Sequence, residues 1–101
     1  MKNKRPKKPK TYYFHSDPGH GWLAVKIQEL IRLKILDKIS KYSYMKGKTV
    51  YLEEDCDYSI FEEAKFKNEE LIEVKQTFLK NSPIRGYERF DIEKAKKAVG
   101  N

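Results

Sequence analysis

Residues 15–25 read His-Ser-Asp-Pro-Gly-His-Gly-Trp-Leu-Ala-Val and hold both histidines and the only tryptophan of the 101-residue chain. Pro18-Gly19 is a turn dipeptide, because proline presets the φ of the first turn position and glycine tolerates the positive φ that a later position needs. Aromatic and β-branched residues lie on both sides of this turn. The pattern predicts a β-hairpin that displays three polar side chains around its tip, His15, Asp17 and His20.

Two interpretations of these polar residues stay open. In the first, His15, Asp17 and His20 are ligands of a metal ion or acid–base groups. In the second, Asp17 accepts hydrogen bonds from the backbone of its own turn, and the histidines belong to a binding surface. Two histidines and one carboxylate in a loop are much less specific than cysteines at zinc-ligand spacing, so we favour the second interpretation and expect no cofactor.

The hydrophobic pattern predicts a helix and a second hairpin after residue 25. Apolar residues spaced three and four apart indicate a helix over 26–36, with Glu29 on its solvent side. Tyrosine-rich segments within 42–52 then flank Gly47, which suits the positive φ of a hairpin turn. Lysines lie beside these tyrosines, and such a mixture suits either base stacking or ordinary strand packing.

The pattern after this hairpin predicts a second helix and a further strand. Asp57 or Ser59 can accept the N-cap hydrogen bond of the helix, which ends near Asn68. A strand over 72–78 follows, because apolar and polar residues alternate there with Phe78 on the apolar face.

The last part of the chain completes an α+β fold. Residues 83–90 form a loop or an edge segment, and Asp91 caps a short terminal helix that stops at Gly100. We therefore expect a mainly antiparallel sheet from two hairpins and a later strand, with two packed helices and a short C-terminal helix. These elements make one small domain over 11–101, preceded by a flexible basic arm at 1–10.

The net charge of +7 comes from this arm. Residues 1–10 carry six basic residues, two prolines and no acid, so they have too little apolar surface to order themselves. Without them the chain has 16 basic against 15 acidic residues. Such arms bind nucleic acid by releasing counterions, or only add solubility. The basic residues of the arm are Lys2, Lys4, Arg5, Lys7, Lys8 and Lys10.

The charges of the remaining chain are segregated. Residues 53–73 hold nine acids against two lysines, whereas residues 26–48 hold seven bases against two acids. An acidic face repels a phosphate backbone and suits a basic protein surface. It therefore suggests an inhibitor that imitates nucleic acid, and the acids that would carry this role are Glu62, Glu63, Glu69 and Glu70.

Composition argues against several other classes of protein. No apolar run is long enough to span a membrane, and the start of the chain does not resemble a signal peptide. Cys56 is the only cysteine, so no internal disulfide forms, and we expect a cytoplasmic setting. Carboxylates around Cys56 oppose thiolate chemistry, and no phosphate-binding glycine loop or nucleophile elbow is present, so the sequence favours a protein without catalytic activity and leaves an enzyme as the alternative.

Three stretches of the chain carry a resemblance. Residues 16–25 read SDPGHGWLAV, residues 42–44 read YSY and are followed by Gly47, and residues 50–57 read VYLEEDCD. Together they resemble a group of small uncharacterised proteins encoded by bacteriophages and mobile elements. The resemblance implies a phage-type accessory protein that acts on host machinery or nucleic acid inside a bacterial host. It implies no catalytic residues, and the basic arm is not part of it.

Three functions stay open at this point. The first, which we favour, is a module that binds a host or phage macromolecule, with nucleic acid as one target. The second is the protein-targeting inhibitor that uses the acidic face. The third is a metal-dependent hydrolase or metal-binding protein at His15, Asp17 and His20 with Asp55 or Asp57. For the binding module, the expected contact residues are His15, His20, Trp22, Tyr44, Lys46, Lys48, Arg85, Tyr87 and Arg89.

Overall fold

A six-stranded mixed sheet and three α-helices make up residues 8–100, which are the residues that this computed structural model describes. The strands are β1 (Lys10–Ser16), β2 (Gly21–Lys26), β3 (Tyr44–Lys46), β4 (Thr49–Glu53), β5 (Ile72–Phe78) and β6 (Glu88–Arg89). The helices are α1 (Ile27–Arg32), α2 (Tyr58–Lys67) and α3 (Ile92–Ala98), and 3-10 turns cover Leu36–Lys38 and Pro83–Gly86. The strand order β5-β1-β2-β4-β3-β6 confirms the predicted α+β class.

Both predicted hairpins are present in this sheet. The pairings β1–β2, β2–β4, β3–β4 and β3–β6 are antiparallel, and β5 joins β1 in parallel. Gly47 has the expected positive φ of 61° in the turn between β3 and β4. Gly21 at the start of β2 is required by packing, because a Cβ there would overlap the ring of Phe14.

The predicted arm only partly falls within the described residues. Lys10, assigned to the arm from the sequence, is instead the first residue of β1. Its backbone N–H donates to the Leu71 carbonyl at 3.3 Å, at the start of the pairing with β5, and its ammonium group lies 3.3 Å from the Glu29 carboxylate. The other basic residues of the arm, except Lys8, lie outside the residues that the structure describes.

The two faces of the sheet have different partners. One side, which we call the inner face, carries the aliphatic side chains of the central strands, Leu23, Val25, Val50 and Leu52. Side chains of all three helices pack into this core, among them Leu30, Phe61 and Ala95. The opposite side, which we call the outer face, carries Trp22, which is buried but lies outside that core.

The first helix is shorter than the predicted 26–36. A Schellman motif ends it, in which the Lys34 N–H donates to the Ile31 carbonyl at 2.9 Å and the Ile35 N–H donates to the Leu30 carbonyl at 3.0 Å. Lys34 has a φ of 62°, a left-handed conformation that favours glycine. Because no glycine marks this position, the sequence carried no stop signal.

The second helix has the predicted position but a different cap. Asp57 is the N-cap residue, yet its side chain makes no cap hydrogen bond and instead accepts hydrogen bonds from Ser40 and Ser43. The predicted capping role of Asp57 is therefore wrong. The helix ends next to Asn68 as expected, and Glu69 follows with a φ of 57° in a second Schellman motif.

The third helix follows its sequence signals closely. The Asp91 carboxylate accepts hydrogen bonds from the N–H groups of Glu93 at 2.9 Å and Lys94 at 3.2 Å, which confirms it as the N-cap. Gly100 has a φ of 85° directly after the helix, as its stop role requires. The segment 83–90, predicted as a loop or edge, contains a 3-10 turn and the edge strand β6.

The C-terminal end of strand β5 lies outside the core. Phe78, predicted on the buried face, is 62% exposed. Ile72 and Val74 pack against the core, whereas Phe78 pairs with Ser16 at the far end of β1 and is not among the residues packed on the core. An alternating pattern indicates which residues share a face, but not how much of that face another element covers.

A buried network of charges joins β1 to α1 and α2. Glu29, predicted to point outward, is buried, and Lys65 is only 3% exposed. The Lys65 ammonium group lies 2.8 Å from the Glu29 carboxylate, and it donates to the Tyr12 hydroxyl and to Glu70 at 2.9 Å each. Arg32 adds hydrogen bonds to both carboxylates. Each buried charge therefore has a partner, which the low local dielectric requires.

This network lowers the pKa of both carboxyl groups. Burial raises the pKa of Glu29, but hydrogen bonds from Lys65, Tyr12 and Arg32 outweigh that effect and bring it to about 2. For Glu70, hydrogen bonds from Arg32 outweigh the loss of hydration and, together with Lys65, lower the pKa to about 2. Both groups are therefore ionised well below neutral pH in the folded protein.

Substitution of Lys65 by alanine should destabilise the fold by about 3 kcal/mol, because it leaves Glu29 buried with an incomplete set of partners. The matched control is Lys67→Ala, two residues later in the same helix, where the side chain is 72% exposed. We expect that control to change the free energy of unfolding by less than about 0.5 kcal/mol. Urea unfolding followed by circular dichroism measures both, and equal effects would contradict a stabilising role of the network.

Acid should weaken the fold through these two carboxyl groups. Since the folded-state pKa of Glu29 and Glu70 is about 2 and the unfolded value is 4.5, their contribution is fully present above pH 4.5 and is lost as pH falls towards 2. The double variant Glu29→Gln, Glu70→Gln should show a flatter dependence of unfolding free energy on pH in this window. Glu62→Gln, at an exposed site of α2, should keep the wild-type dependence.

Candidate functional site

The outer face collects aromatic and cationic side chains from four strands. In register across the sheet, Ala24 on β2 pairs with Tyr51 on β4, Tyr51 pairs with Tyr44 on β3, and Tyr44 pairs with Arg89 on β6. Trp22 lies two residues before Ala24 and therefore on the same face. The helices pack into the core on the opposite side, so these rings are not covered by them.

One short segment crosses over part of this face. Ser82 begins the 3-10 turn Pro83–Gly86, and its hydroxyl accepts a hydrogen bond from the Ile84 N–H at 3.2 Å. Ile84 is buried outside the helical core, as Trp22 is. After the turn, the ring of Tyr87 lies 5.3 Å from the ring of Tyr51. The segment therefore forms a small second cluster with the outer face.

Asp17 ties this segment to the first hairpin. Its Oδ1 accepts hydrogen bonds from the N–H groups of Gly19 at 3.0 Å and His20 at 2.9 Å, which confirms the predicted backbone role in the turn. The same carboxylate accepts two hydrogen bonds from Arg85, which hold the pKa of Asp17 well below its usual range. This fork of donors and acceptors fixes the guanidinium of Arg85 beside the hairpin tip.

A second polar link joins the 40–44 segment to the end of β4. The hydroxyl of buried Ser43 donates to Asp57 and accepts from the Glu53 N–H at 2.9 Å. The Glu53 carboxylate accepts from the N–H groups of Asp55 and Cys56 at 2.9 Å each. These bonds shape the loop after β4 and hold Glu53 at the outer face.

These elements enclose a cavity of about 330 Å³, which we call the outer cleft. Its walls hold the rings of Trp22, Tyr42 and Tyr44 and the guanidinium groups of Arg85 and Arg89. The remaining lining residues are His20, Glu53, Asp55 and Cys56. All three stretches at 16–25, 42–44 and 50–57 therefore contribute to one cavity, although they are far apart in sequence.

Cations lie over aromatic rings at three places on the outer face. The distances from the cationic group to the ring centre are 5.6 Å for Arg85 over Trp22, 4.9 Å for Arg89 over Tyr44 and 5.0 Å for Lys46 over Tyr87. Each pair is attractive because the cation meets the negative face of the ring. Arg85, Arg89 and Lys46 remain exposed, so their other sides are accessible to a ligand.

Trp22 brings an unused hydrogen-bond donor to this region. It is 2% exposed, and its indole N–H is buried without an acceptor among residues 8–100. A buried polar group normally has a hydrogen-bond partner, so this N–H is an exception among the described residues.

The two histidines line different cavities. His20 lines the outer cleft, where its Nδ1 lies 3.9 Å from Glu53 Oε2. His15 lines a separate cavity of about 200 Å³, its Nδ1 lies 2.9 Å from the Thr77 hydroxyl oxygen, and burial lowers its pKa. Among the described residues, no group of three or more His, Cys, Asp or Glu side chains is placed to hold a metal ion.

Most of the predicted binding residues meet on the outer face. His20, Trp22, Tyr44, Arg85 and Arg89 line the outer cleft. Lys46 and Tyr87 form the adjacent cation–ring pair, and Tyr87 also lines the cavity of His15. Lys48 lies apart from them in the turn between β3 and β4.

Sequence reasoning did not name Tyr42, Glu53 or Cys56 as contact residues of this site, and it assigned Asp55 only to the metal hypothesis with His20. The signal that could have found them is the set of three quoted stretches, because 42–44 and 50–57 contain all four residues. Partial loss of hydration and the carboxylates of Glu53, Asp57 and Asp55 raise the pKa of the Cys56 thiol, in the predicted direction. Cys56 is therefore a polar wall of the cleft rather than a thiolate.

Comparisons with protein-family models, curated proteins and solved structures give no match to this chain. The resemblance to bacteriophage proteins stays an expectation. Within residues 8–100, no helix combines the length and apolar character needed to cross a membrane.

Replacement of Arg85 by alanine should open Trp22 to solvent, because the guanidinium lies over the indole ring. We expect the fluorescence of this single tryptophan to shift to longer wavelength and to be quenched faster by acrylamide. Arg89→Ala removes an equal charge from the same cleft. Because Arg89 lies over Tyr44 and not over Trp22, this variant should leave the tryptophan emission unchanged. A wild-type spectrum for Arg85→Ala would show that the contact does not shield the indole.

Proposed function

We propose that this protein is a small accessory module that binds single-stranded nucleic acid with the outer face of its sheet. The observation that carries this proposal is the group of three adjacent cation–ring pairs, Arg85–Trp22, Arg89–Tyr44 and Lys46–Tyr87. Single-strand binding combines positive charge for phosphates with flat groups on which bases stack. The outer face offers both within a few ångströms.

The arrangement favours unpaired bases over a duplex. The aromatic side chains belong to a sheet and to a cleft, and neither is a protruding helix that would enter a major groove. An unpaired base can leave its stack and lie against an exposed guanidinium plane or a tyrosine ring. Tyr42, which is 64% exposed at the mouth of the outer cleft, offers such a ring.

The polar walls of the outer cleft suit a base rather than a phosphate at its centre. Glu53 and Asp55 would repel a phosphate, whereas they accept hydrogen bonds from the amino groups of bases. Arg85 and Arg89 on the same walls donate to base carbonyls or to a neighbouring phosphate. We therefore propose that one base enters the outer cleft while the rest of the nucleic-acid strand continues past Lys46.

The biological setting is part of the proposal. The resemblance to phage and mobile-element proteins suggests an accessory role in the cytoplasm of a bacterial host. The five basic residues that precede β1 would add sequence-independent attraction to the phosphate backbone.

The other two functions have less structural support. Of the nine acids at 53–73, Glu53 and Asp57 are buried and Glu70 is paired with Arg32 and Lys65, so the acidic face of an inhibitor is reduced. A metal site at His15, Asp17 and His20 is disfavoured for two reasons. Asp17 is already bonded to Arg85, and the two histidines line different cavities.

The double variant Lys46→Ala, Arg89→Ala tests the proposal on the full chain. Fluorescence anisotropy with labelled single-stranded DNA and RNA oligonucleotides over a salt series gives the affinity and its salt slope. Loss of two phosphate contacts should reduce the slope by about 1.4. Tyr44→Ala should weaken binding about tenfold through lost stacking, and Tyr44→Phe should not.

The matched control is Lys96→Ala, Lys97→Ala, which removes the same charge from helix α3 on the side of the inner face. An equal loss of affinity in both double variants would show that only the net charge of the protein matters. It would contradict the proposal that the outer face binds the nucleic acid. A second control replaces the five basic residues that precede β1 by serine, and these are Lys2, Lys4, Arg5, Lys7 and Lys8. If that variant alone abolishes binding, the outer face is not the binding surface.

A further inference from the structure

Strand β5 leaves one edge of the sheet open. It is the terminal strand of the order and pairs only with β1 among the described residues. Its register with β1 runs without interruption from Ile72 to Phe78, so no bulge interrupts it, and the strand contains no proline. Bulges, prolines and charged side chains are the usual devices that prevent an edge strand from pairing with another chain, and of these β5 has only the charges of Glu73 and Lys75.

The free backbone groups of this edge can be assigned from the hydrogen bonds to β1. The Leu71 carbonyl accepts from Lys10, and the Leu79 N–H donates to Ser16, so odd-numbered residues direct their backbone groups towards β1. Because the direction alternates along a strand, the N–H and C=O groups of the even-numbered residues face outward. These residues are Ile72, Val74, Gln76 and Phe78.

Exposed apolar side chains surround the same edge. Leu71 and Leu79 flank the strand, Phe78 ends it, and all three are more than half exposed. Together with unpaired backbone groups, such side chains are typical of a surface that another strand covers.

We propose that two copies of this chain pair through β5 in antiparallel orientation about a two-fold axis at Val74. In this register Glu73 of each copy lies directly opposite Lys75 of the other, which gives two symmetric ion pairs. Ile72 then lies opposite Gln76, and both are residues with outward-facing backbone groups, as an antiparallel ladder requires. The sequence of β5 is therefore complementary to itself.

The neighbouring registers lack this complementarity. A two-fold axis at Lys75 would place two lysines opposite each other, which is destabilising. An axis at Gln76 would place Glu73 opposite Leu79 and leave both charges without a partner. The charges of the strand thus select one register.

This pairing places the two outer faces on the same side of one continuous sheet. A two-fold axis between antiparallel strands is perpendicular to the sheet, so both copies turn the same face in one direction. Two outer clefts would then face the same way, which suits a single nucleic-acid strand that contacts both clefts. The dimer itself rests on β5 alone and does not depend on the proposed function.

Sedimentation velocity of the full chain over a concentration series tests the dimer. We expect a reversible monomer–dimer equilibrium that Glu73→Lys weakens about tenfold or more, since two ion pairs become two repulsions. Lys75→Glu should act in the same way, and the double variant Glu73→Lys, Lys75→Glu should restore wild-type association. Glu62→Lys, the same charge change at an exposed position of α2, is the matched control and should leave the equilibrium unchanged.

Three results would overturn the proposal. They are a monomer at every concentration, an equal effect of Glu73→Lys and Glu62→Lys, and a double variant that stays as weak as the single ones while its circular dichroism spectrum is that of the wild type. Nucleic acid is absent from these measurements, so failure here and failure of the proposed function are distinguishable.

Discussion

The buried ion pair between Glu29 and Lys65 is the interaction on which the arrangement of this fold depends. It joins α1 to α2, and through the Tyr12 hydroxyl it joins both helices to β1. A buried charge without its partner is strongly unfavourable, so neither helix can slide along the sheet without breaking the network. Both helices are thereby held on the inner face, and the outer face is left for other contacts.

The outer face is organised by a different kind of link. Its rings come from strands, but its cations come from β3 and from the 85–89 segment, which enters the sheet last. The Asp17–Arg85 fork and the Ser43–Asp57 bond join segments that are distant in sequence. Because these partners are fixed by hydrogen bonds in the free protein, a ligand would meet side chains that are already in place, which lowers the entropic cost of binding.

Local signals were sufficient for the two hairpins and for the ends of α2 and α3, and insufficient for the end of α1 and for burial. Gly47 and Asp91 act as the sequence predicts, because a positive φ and an N-cap depend on the residue itself and its nearest neighbours. The end of α1 was missed because Lys34 adopts a left-handed conformation that glycine usually takes. Phe78 was predicted to be buried but is exposed, because the alternation of β5 does not show how far the core extends along the strand.

By itself, the sequence determined the α+β class, the two hairpins, the role of Asp17 in its turn and most members of the candidate site. These depend on periodicity and on residue types with strong local preferences. Only the tertiary structure decided that His15 and His20 line separate cavities, that Glu29 is a buried partner of Lys65, and that Glu53 shares a cleft with Arg85. Such contacts join residues tens of positions apart, and no local pattern encodes which distant side chain will complete a charge or a cavity.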